Sequence, residues 1–256
     1  MSVYEIRDTK CLEKLFEGWK ETLIWSCMQG CMGRAYADNI TNPKSAQIVI
    51  GDFCFFAGEA NKELVLNKPD DYRSNFIIMI PQNNEWSKFI GQTYKEGATK
   101  VYRYAIKKEQ DVFDIEKLSK FVKDIKRPFS IQMVDKDIFN QIISNTWSKD
   151  LCSQFIDYED YRKRGIGAVV MKDGIVVSGA SSYTVYNEGI EIEIDTRKDY
   201  RRKGLALACG AKLILECLSK GLYPSWDAQN KGSVALAEKL GYHFDKEYEA
   251  YEIMDY

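Results

Sequence analysis

Residues 189–196, Gly189-Ile190-Glu191-Ile192-Glu193-Ile194-Asp195-Thr196, decide the fold together with Arg201-Arg202-Lys203-Gly204-Leu205-Ala206, from which four residues separate them. The first stretch alternates isoleucine with acid at the two-residue period of a half-buried strand. From Leu205 to Leu218 the chain is apolar at helical spacing and stops at Lys220-Gly221, as a helix C-terminus does. A strand, a basic glycine turn and a helix in that order form an anion cradle. Gly204 lets the backbone come close, the helix N-terminus aims free N–H groups at the anion, and Arg201, Arg202 and Lys203 add positive charge. The plainer alternative is a solvated charge run on an ordinary loop.

Outward from this centre, the 256 residues suit one large or two small domains, and 45 % hydrophobic content supports a core. With 36 basic and 38 acidic residues the net charge is -2, so nothing electrostatic favours nucleic acid or an anionic membrane as a partner. Cysteines at 11, 27, 31, 54, 152, 209 and 217 are odd in number and lie mostly in apolar segments, which reads as buried thiols in a reducing compartment. Cys27 and Cys31 have the look of a metal pair, but the single histidine, His243, lies far off in an expected terminal strand. No metal site is therefore expected. The first residues, Met1-Ser2-Val3-Tyr4-Glu5-Ile6-Arg7-Asp8, hold no apolar run, and charges interrupt every later one. A soluble, cytoplasmic protein is expected.

In the N-terminal half the pattern predicts a helix over Cys11 to Trp25, strands over Gly33 to Asp38, Ala46 to Gly58 and Asn75 to Ile80, a helix over Asn84 to Tyr94, and a strand over Lys100 to Ile106. An amphipathic helix over Asp114 to Ile125 is broken by Lys126-Arg127-Pro128, so a domain boundary is expected near residue 127. Residues 1–127 then form a smaller α/β domain and 128–256 the second domain. That second half should run strand Phe129 to Val134, helices Lys136 to Ser144 and Ser148 to Arg162, and strands Gly167 to Met171 and Ile175 to Tyr186. The acidic strand, the long helix, a strand ending at Asp227, a helix from Ser233 to Leu240 and a last strand complete it. Interleaved helices and strands give an α/β class.

Arg-x-x-Gly-x-Ala between a strand and a helix resembles the acyl-CoA loop of the GNAT superfamily of N-acetyltransferases. The downstream segment Asn230-Lys231-Gly232-Ser233-Val234-Ala235-Leu236-Ala237-Glu238-Lys239-Leu240-Gly241-Tyr242 is similar to that superfamily's Asn-x-x-Ser/Ala-x-x-Leu-Tyr-x-Lys-Leu-Gly-Phe helix, in the right order and spacing. Pro43-Lys44-Ser45-Ala46, Gly51-Asp52-Phe53 and Tyr223-Pro224-Ser225-Trp226-Asp227-Ala228 further resemble the subfamily grouped around the zwittermicin A resistance acetyltransferase. The resemblance implies a mixed, mostly antiparallel sheet flanked by helices in the C-terminal half. It also implies acetyl-CoA as co-substrate and direct acetyl transfer to an amine, a small amino compound being the favoured acceptor. A non-catalytic acyl-CoA-binding or protein-interaction module is the alternative.

By the same resemblance the backbone of Ile194, Asp195 and Thr196 faces the pantetheine arm, amides of Arg202, Lys203, Gly204, Leu205 and Ala206 hold the pyrophosphate beside Arg201, and Asn230 contacts the cofactor. An ordinary helix cap is the competing role for Asn230. For the base, Glu191 and Glu193 share one face of the acidic strand with Asp195, and a buried carboxylate there suits proton abstraction from an ammonium. An exposed acidic face is the competing reading. The superfamily's thiolate-protonating tyrosine is replaced by Ala237, which leaves Tyr183, Tyr186, Tyr242 or solvent as the acid.

Overall fold

The structure is a computed structural model that describes residues 2–256. Its elements are β1 (Tyr4–Ile6), α1 (Thr22–Met28), β2 (Arg34–Ala37), β3 (Ser45–Ile50), β4 (Phe53–Gly58), α2 (Lys62–Leu66), β5 (Phe76–Pro81), α3 (Asn84–Tyr94), β6 (Ala98–Ile106), α4 (Ile115–Lys123), β7 (Phe129–Met133), α5 (Lys136–Ile143), α6 (Tyr158–Arg164), β8 (Gly167–Lys172), β9 (Ile175–Tyr186), β10 (Gly189–Thr196), α7 (Leu205–Ser219), β11 (Tyr223–Ser225), β12 (Asp227–Ala228), α8 (Lys231–Leu240) and β13 (Phe244–Met254). The chain divides into two compact units, one made of the residues up to Arg103 with Glu247–Tyr256, the other of Tyr104–Lys246. The divisions fall inside β6 and β13 rather than near residue 127. Helix α4 ends at Lys123 with Asp124 as its C-cap, ahead of Pro128, and it packs on α7 and so belongs with the C-terminal unit.

In the first unit the strands run β1-β2-β3-β4-β5-β13-β6, with β4 and β5 parallel and β13 antiparallel to β5. Ala46 to Gly58, which reads as one apolar strand, is a hairpin folded at Gly51-Asp52 so that Ile50 pairs with Phe53. Cys54, Phe56, Ile77, Met79 and Ile253 pack with Trp86 and Ile90 of α3 as its core. Trp86 stacks on Phe56 at 4.9 Å between centroids, and its indole N–H donates to the Gly58 carbonyl at 2.9 Å. The helix expected over Cys11 to Trp25 is a 3-10 turn at Thr9–Leu12 followed by turns and then α1. Trp25 donates its indole N–H to the Trp19 carbonyl at 3.1 Å, a bond across six residues that a continuous helix does not allow, and Phe16 packs edge-on against Trp19.

In the second unit a sheet of order β11-β10-β9-β8-β7 is antiparallel throughout except for the β10–β11 pair. This is the mostly antiparallel, helix-flanked sheet expected of the C-terminal half. Helix α7 packs across β8 to β11 and carries α4 against it. Strand residues alternate faces, so Ile190, Ile192 and Ile194 meet α7 while Glu191, Glu193 and Asp195 point the other way. On that second face Leu151 lies against Gly179, and the Tyr161 hydroxyl meets Ser181 Oγ at 2.8 Å. The helix expected over Ser148 to Arg162 is a 3-10 turn at Lys149–Leu151 and a separate α6, because Asp157 accepts from the Asp160 amide at 2.8 Å and starts a new helix. His243 precedes β13 rather than lying in it, exposed, with Nδ1 2.7 Å from Glu109 Oε2.

Candidate active site

Strands β10 and β11 are paired only over Gly189↔Tyr223, Ile190↔Pro224 and Glu191↔Ser225. Beyond Glu191 the strands part, and among the described residues no strand pairs with that edge of β10. Residues of an antiparallel pair turn both backbone groups alternately toward and away from the partner. Arg197 donates its N–H to the Val177 carbonyl at 3.0 Å, so Asp195 also faces β9, whereas Ile192, Ile194 and Thr196 face the open edge. Thr196 is already engaged there: its N–H donates to Asp195 Oδ1 at 2.6 Å and its carbonyl accepts from Arg201 Nε at 2.9 Å. Of Ile194, Asp195 and Thr196, Ile194 is thus the one whose backbone groups lie open for an extended ligand.

The open edge leads into the basic turn. Arg201, Arg202, Lys203 and Gly204 are exposed, Arg202 at φ 60° and Gly204 at φ 76°, both in the left-handed region. Gly204 is the N-cap of α7 and supplies no side chain to its first turn, so the free N–H groups of Leu205 and Ala206 are left to an outside acceptor. A Cβ built on Gly204 meets no protein atom within 4 Å, so a phosphate can approach its backbone. Asp199 offsets part of the charge: Arg197 pairs with its carboxylate at 2.6 Å and Lys203 Nζ donates to its carbonyl at 3.1 Å. Arg197 and Lys203 also flank the Tyr200 ring, at 5.1 and 4.8 Å from its centroid.

Glu191 is 5 % exposed and Glu193 half-buried, so the exposed acidic face is excluded. Glu191 stands where β10 and β11 part. Burial, reinforced by the Glu191 charge, raises the phenols of Tyr186, Tyr223 and Tyr242, that of Tyr223 to about 12. The register of β9 slips opposite Glu191/Ile192, leaving Tyr183 as the extra residue of a bulge between Ser182 and Thr184. Tyr242 is fully committed to structure, donating its buried hydroxyl to the Pro224 carbonyl at 2.6 Å. Ala237 has no exposed surface. Asn230 performs the ordinary capping role, accepting from the Ser233 amide at 3.0 Å at the start of α8. The bulge at Tyr183, and Thr184 and Ser225 as the cross-strand neighbours of Glu191, escaped the sequence reading. Their one signal is the presence of hydroxyl residues inside otherwise apolar strand runs.

The chain belongs to the GNAT acetyltransferase family, whose model matches residues 13–251. It is an N-acetyltransferase of that type, a family that uses acetyl-CoA. The crystal structure of a GCN5-related N-acetyltransferase-like protein from Streptococcus suis is 43 % identical, covers 96 % of this chain and 98 % of its own, and superposes with a TM-score of 0.90. An uncharacterized N-acetyltransferase of Bacillus subtilis, YdfB, is 28 % identical over 90 % of this chain and 89 % of its own. A GNAT-family acetyltransferase structure from Novosphingobium aromaticivorans, 15 % identical, shares the fold over 85 % of this chain and 91 % of its own with a TM-score of 0.52. No helix among the described residues is long and apolar enough to cross a membrane, and all seven cysteines are free thiols. No three His, Cys, Asp or Glu side chains among the described residues are grouped to hold a metal ion.

Proposed function

We propose that this protein transfers the acetyl group of acetyl-CoA directly to the amine of a small amino compound, with Glu191 as the base. The observation that carries this reading is the parting of β10 from β11 immediately after Glu191, in line with an uncapped basic turn at the start of α7. When bound, acetyl-CoA supplies an activated thioester. Ile194 would pair its open backbone groups with the pantetheine amides, and the amides of Arg202 to Ala206, with the Arg201 to Lys203 charges, would hold the pyrophosphate. Asn230 is left out of that set because its side-chain oxygen caps α8.

Between the two carboxylates, Glu191 is the better base. It stands at the fork itself, and burial disfavours its charged form, the condition that makes a carboxylate take an ammonium proton near neutral pH. Glu193, one pair further out, is the second candidate. Of the tyrosines that could replace the missing acid at Ala237, Tyr242 is pinned and burial raises Tyr186. Solvent is then the remaining proton donor to the departing thiolate. Two finer readings rest on support outside the site geometry: the zwittermicin-type subfamily on the motifs quoted above, and a reducing, cytoplasmic setting on the free thiols.

Thiol release from acetyl-CoA, measured over a panel of amino sugars, polyamines, amino acids and short peptides, tests the acceptor class. Release above hydrolysis with a small amine is expected. Release with peptides alone would overturn the small-acceptor reading, and release with none would favour a binding module.

A further inference from the structure

We infer that Thr184 and Ser225 are positioning residues that hold the Glu191 carboxylate ionised and aimed at the fork, each donating a hydroxyl hydrogen bond to it from one flanking strand. The inference rests on Glu191 being the base. Register puts Thr184 directly opposite Glu191 on β9 and Ser225 directly beside it on β11, so the three side chains form one row on the sheet face away from α7. Thr184 and Ser225 have no exposed surface, and neither hydroxyl has a hydrogen-bond partner in the resting arrangement. The buried serine hydroxyls of β9 are all bonded: Ser178 to Thr196 Oγ1 at 2.7 Å, Ser181 to the Tyr161 hydroxyl at 2.8 Å, and Ser182 to the Ile166 amide at 3.0 Å.

A buried hydroxyl without a partner is costly, and here the cost occurs twice, on the two sides of one carboxylate. Directly opposed Cβ atoms in a sheet lie about 4.5–5.5 Å apart, so a turn of χ1 from one staggered well to another brings a hydroxyl onto the neighbouring carboxylate. Donation to the charged form favours it, against the burial that disfavours it. The other titratable groups around the row are Tyr186 on β9, Tyr223 on β11, Tyr242 after α8, Glu193 on β10, Glu188 in the β9–β10 turn, Glu109 beside Tyr223, and Cys217 of α7 behind the sheet. The three phenols are raised and Cys217 is pushed up to about 12, so these four groups keep one charge state over the acid-to-neutral range, and the readout is taken on the Glu191 carboxyl itself to separate it from the neighbouring carboxylates.

The test uses Thr184→Val, Ser225→Ala, Thr184→Ser and Glu191→Gln in the full chain. Two readouts apply: the pH profile of kcat/KM, and the 13C carboxyl titration of Glu191, assigned by its absence in Glu191→Gln. Thr184→Val and Ser225→Ala should each move the Glu191 midpoint upward, by about half to one pH unit. Activity should fall about three- to tenfold below the midpoint, recover at higher pH and leave the KM for acetyl-CoA unchanged, and Thr184→Ser should restore the wild-type profile. If the hydroxyls are only core filling, the near-isosteric Thr184→Val leaves the midpoint where it was. An unmoved 13C midpoint in both Thr184→Val and Ser225→Ala overturns the inference. A Glu191→Gln enzyme with wild-type activity overturns the base assignment instead, and the two failures are therefore distinct.

Discussion

Position 237 shows how much a single residue decides. The family's helix has a tyrosine there, and this chain has an alanine with no exposed surface, one turn before the Gly241 cap of α8. A phenol at that position must displace packed neighbours rather than enter free space. Ala237→Tyr should therefore cost about 1–3 kcal/mol and lower the melting temperature by roughly 3–10 °C, with no gain in turnover. A faster enzyme of unchanged melting temperature would show that the space is open and that an acid was missing. At this scale the sequence was informative about identity and silent about depth. The Ile/Glu alternation announced Glu191 and Glu193 together, yet what separates them, the end of β11 at Ser225 and the β9 bulge at Tyr183, depends on strands distant in the chain.

Among the elements, β10 and α7 were legible because each carries its own periodicity and its own stop. The stretch from Ser148 to Arg162 was not, since Asp157 reads equally well inside an amphipathic helix or at its start, and only its bond to the Asp160 amide decides. The same limit hid the hairpin in Ala46 to Gly58, where a fully buried strand pair has no polar alternation to mark its turn. The element on which the proposed function turns is the short parallel pairing of β10 with β11. A Cβ at Gly189 would collide with the Tyr223 carbonyl and come within 2.7 Å of the Tyr186 hydroxyl, so Gly189→Ala should push the two strands apart where they need to meet. Because the first obstacle is backbone, a cost of about 1–3 kcal/mol is expected, together with loss of activity exceeding the loss of folded protein. Circular dichroism melts set beside thiol-release rates check this, and wild-type rates in the variant would show that the fork tolerates widening.

For the whole chain, the boundary expected at residue 127 and the compact unit starting at Tyr104 predict different fragments. A 128–256 fragment lacks α4, whose Leu118 is fully buried, and Phe113, whose ring packs edge-on against Tyr242 at 4.9 Å. It should therefore bind hydrophobic dye and melt without cooperativity. A cooperative melt of that fragment would restore the sequence boundary. Composition bears on charge and on the size of the core but holds no trace of β6 and β13 being divided between units, because that division is a property of topology. The central claim is that acetyl-CoA is held by the turn from Arg201 to Ala206. Calorimetric titration of acetyl-CoA into wild type and Gly204→Val tests it most directly, since valine at φ 76° forces the turn out of its left-handed conformation while a Cβ there has no protein atom within 4 Å. The account predicts saturable binding to the wild type and at least about a tenfold loss in a variant that still folds; equal affinity in the two proteins would contradict it.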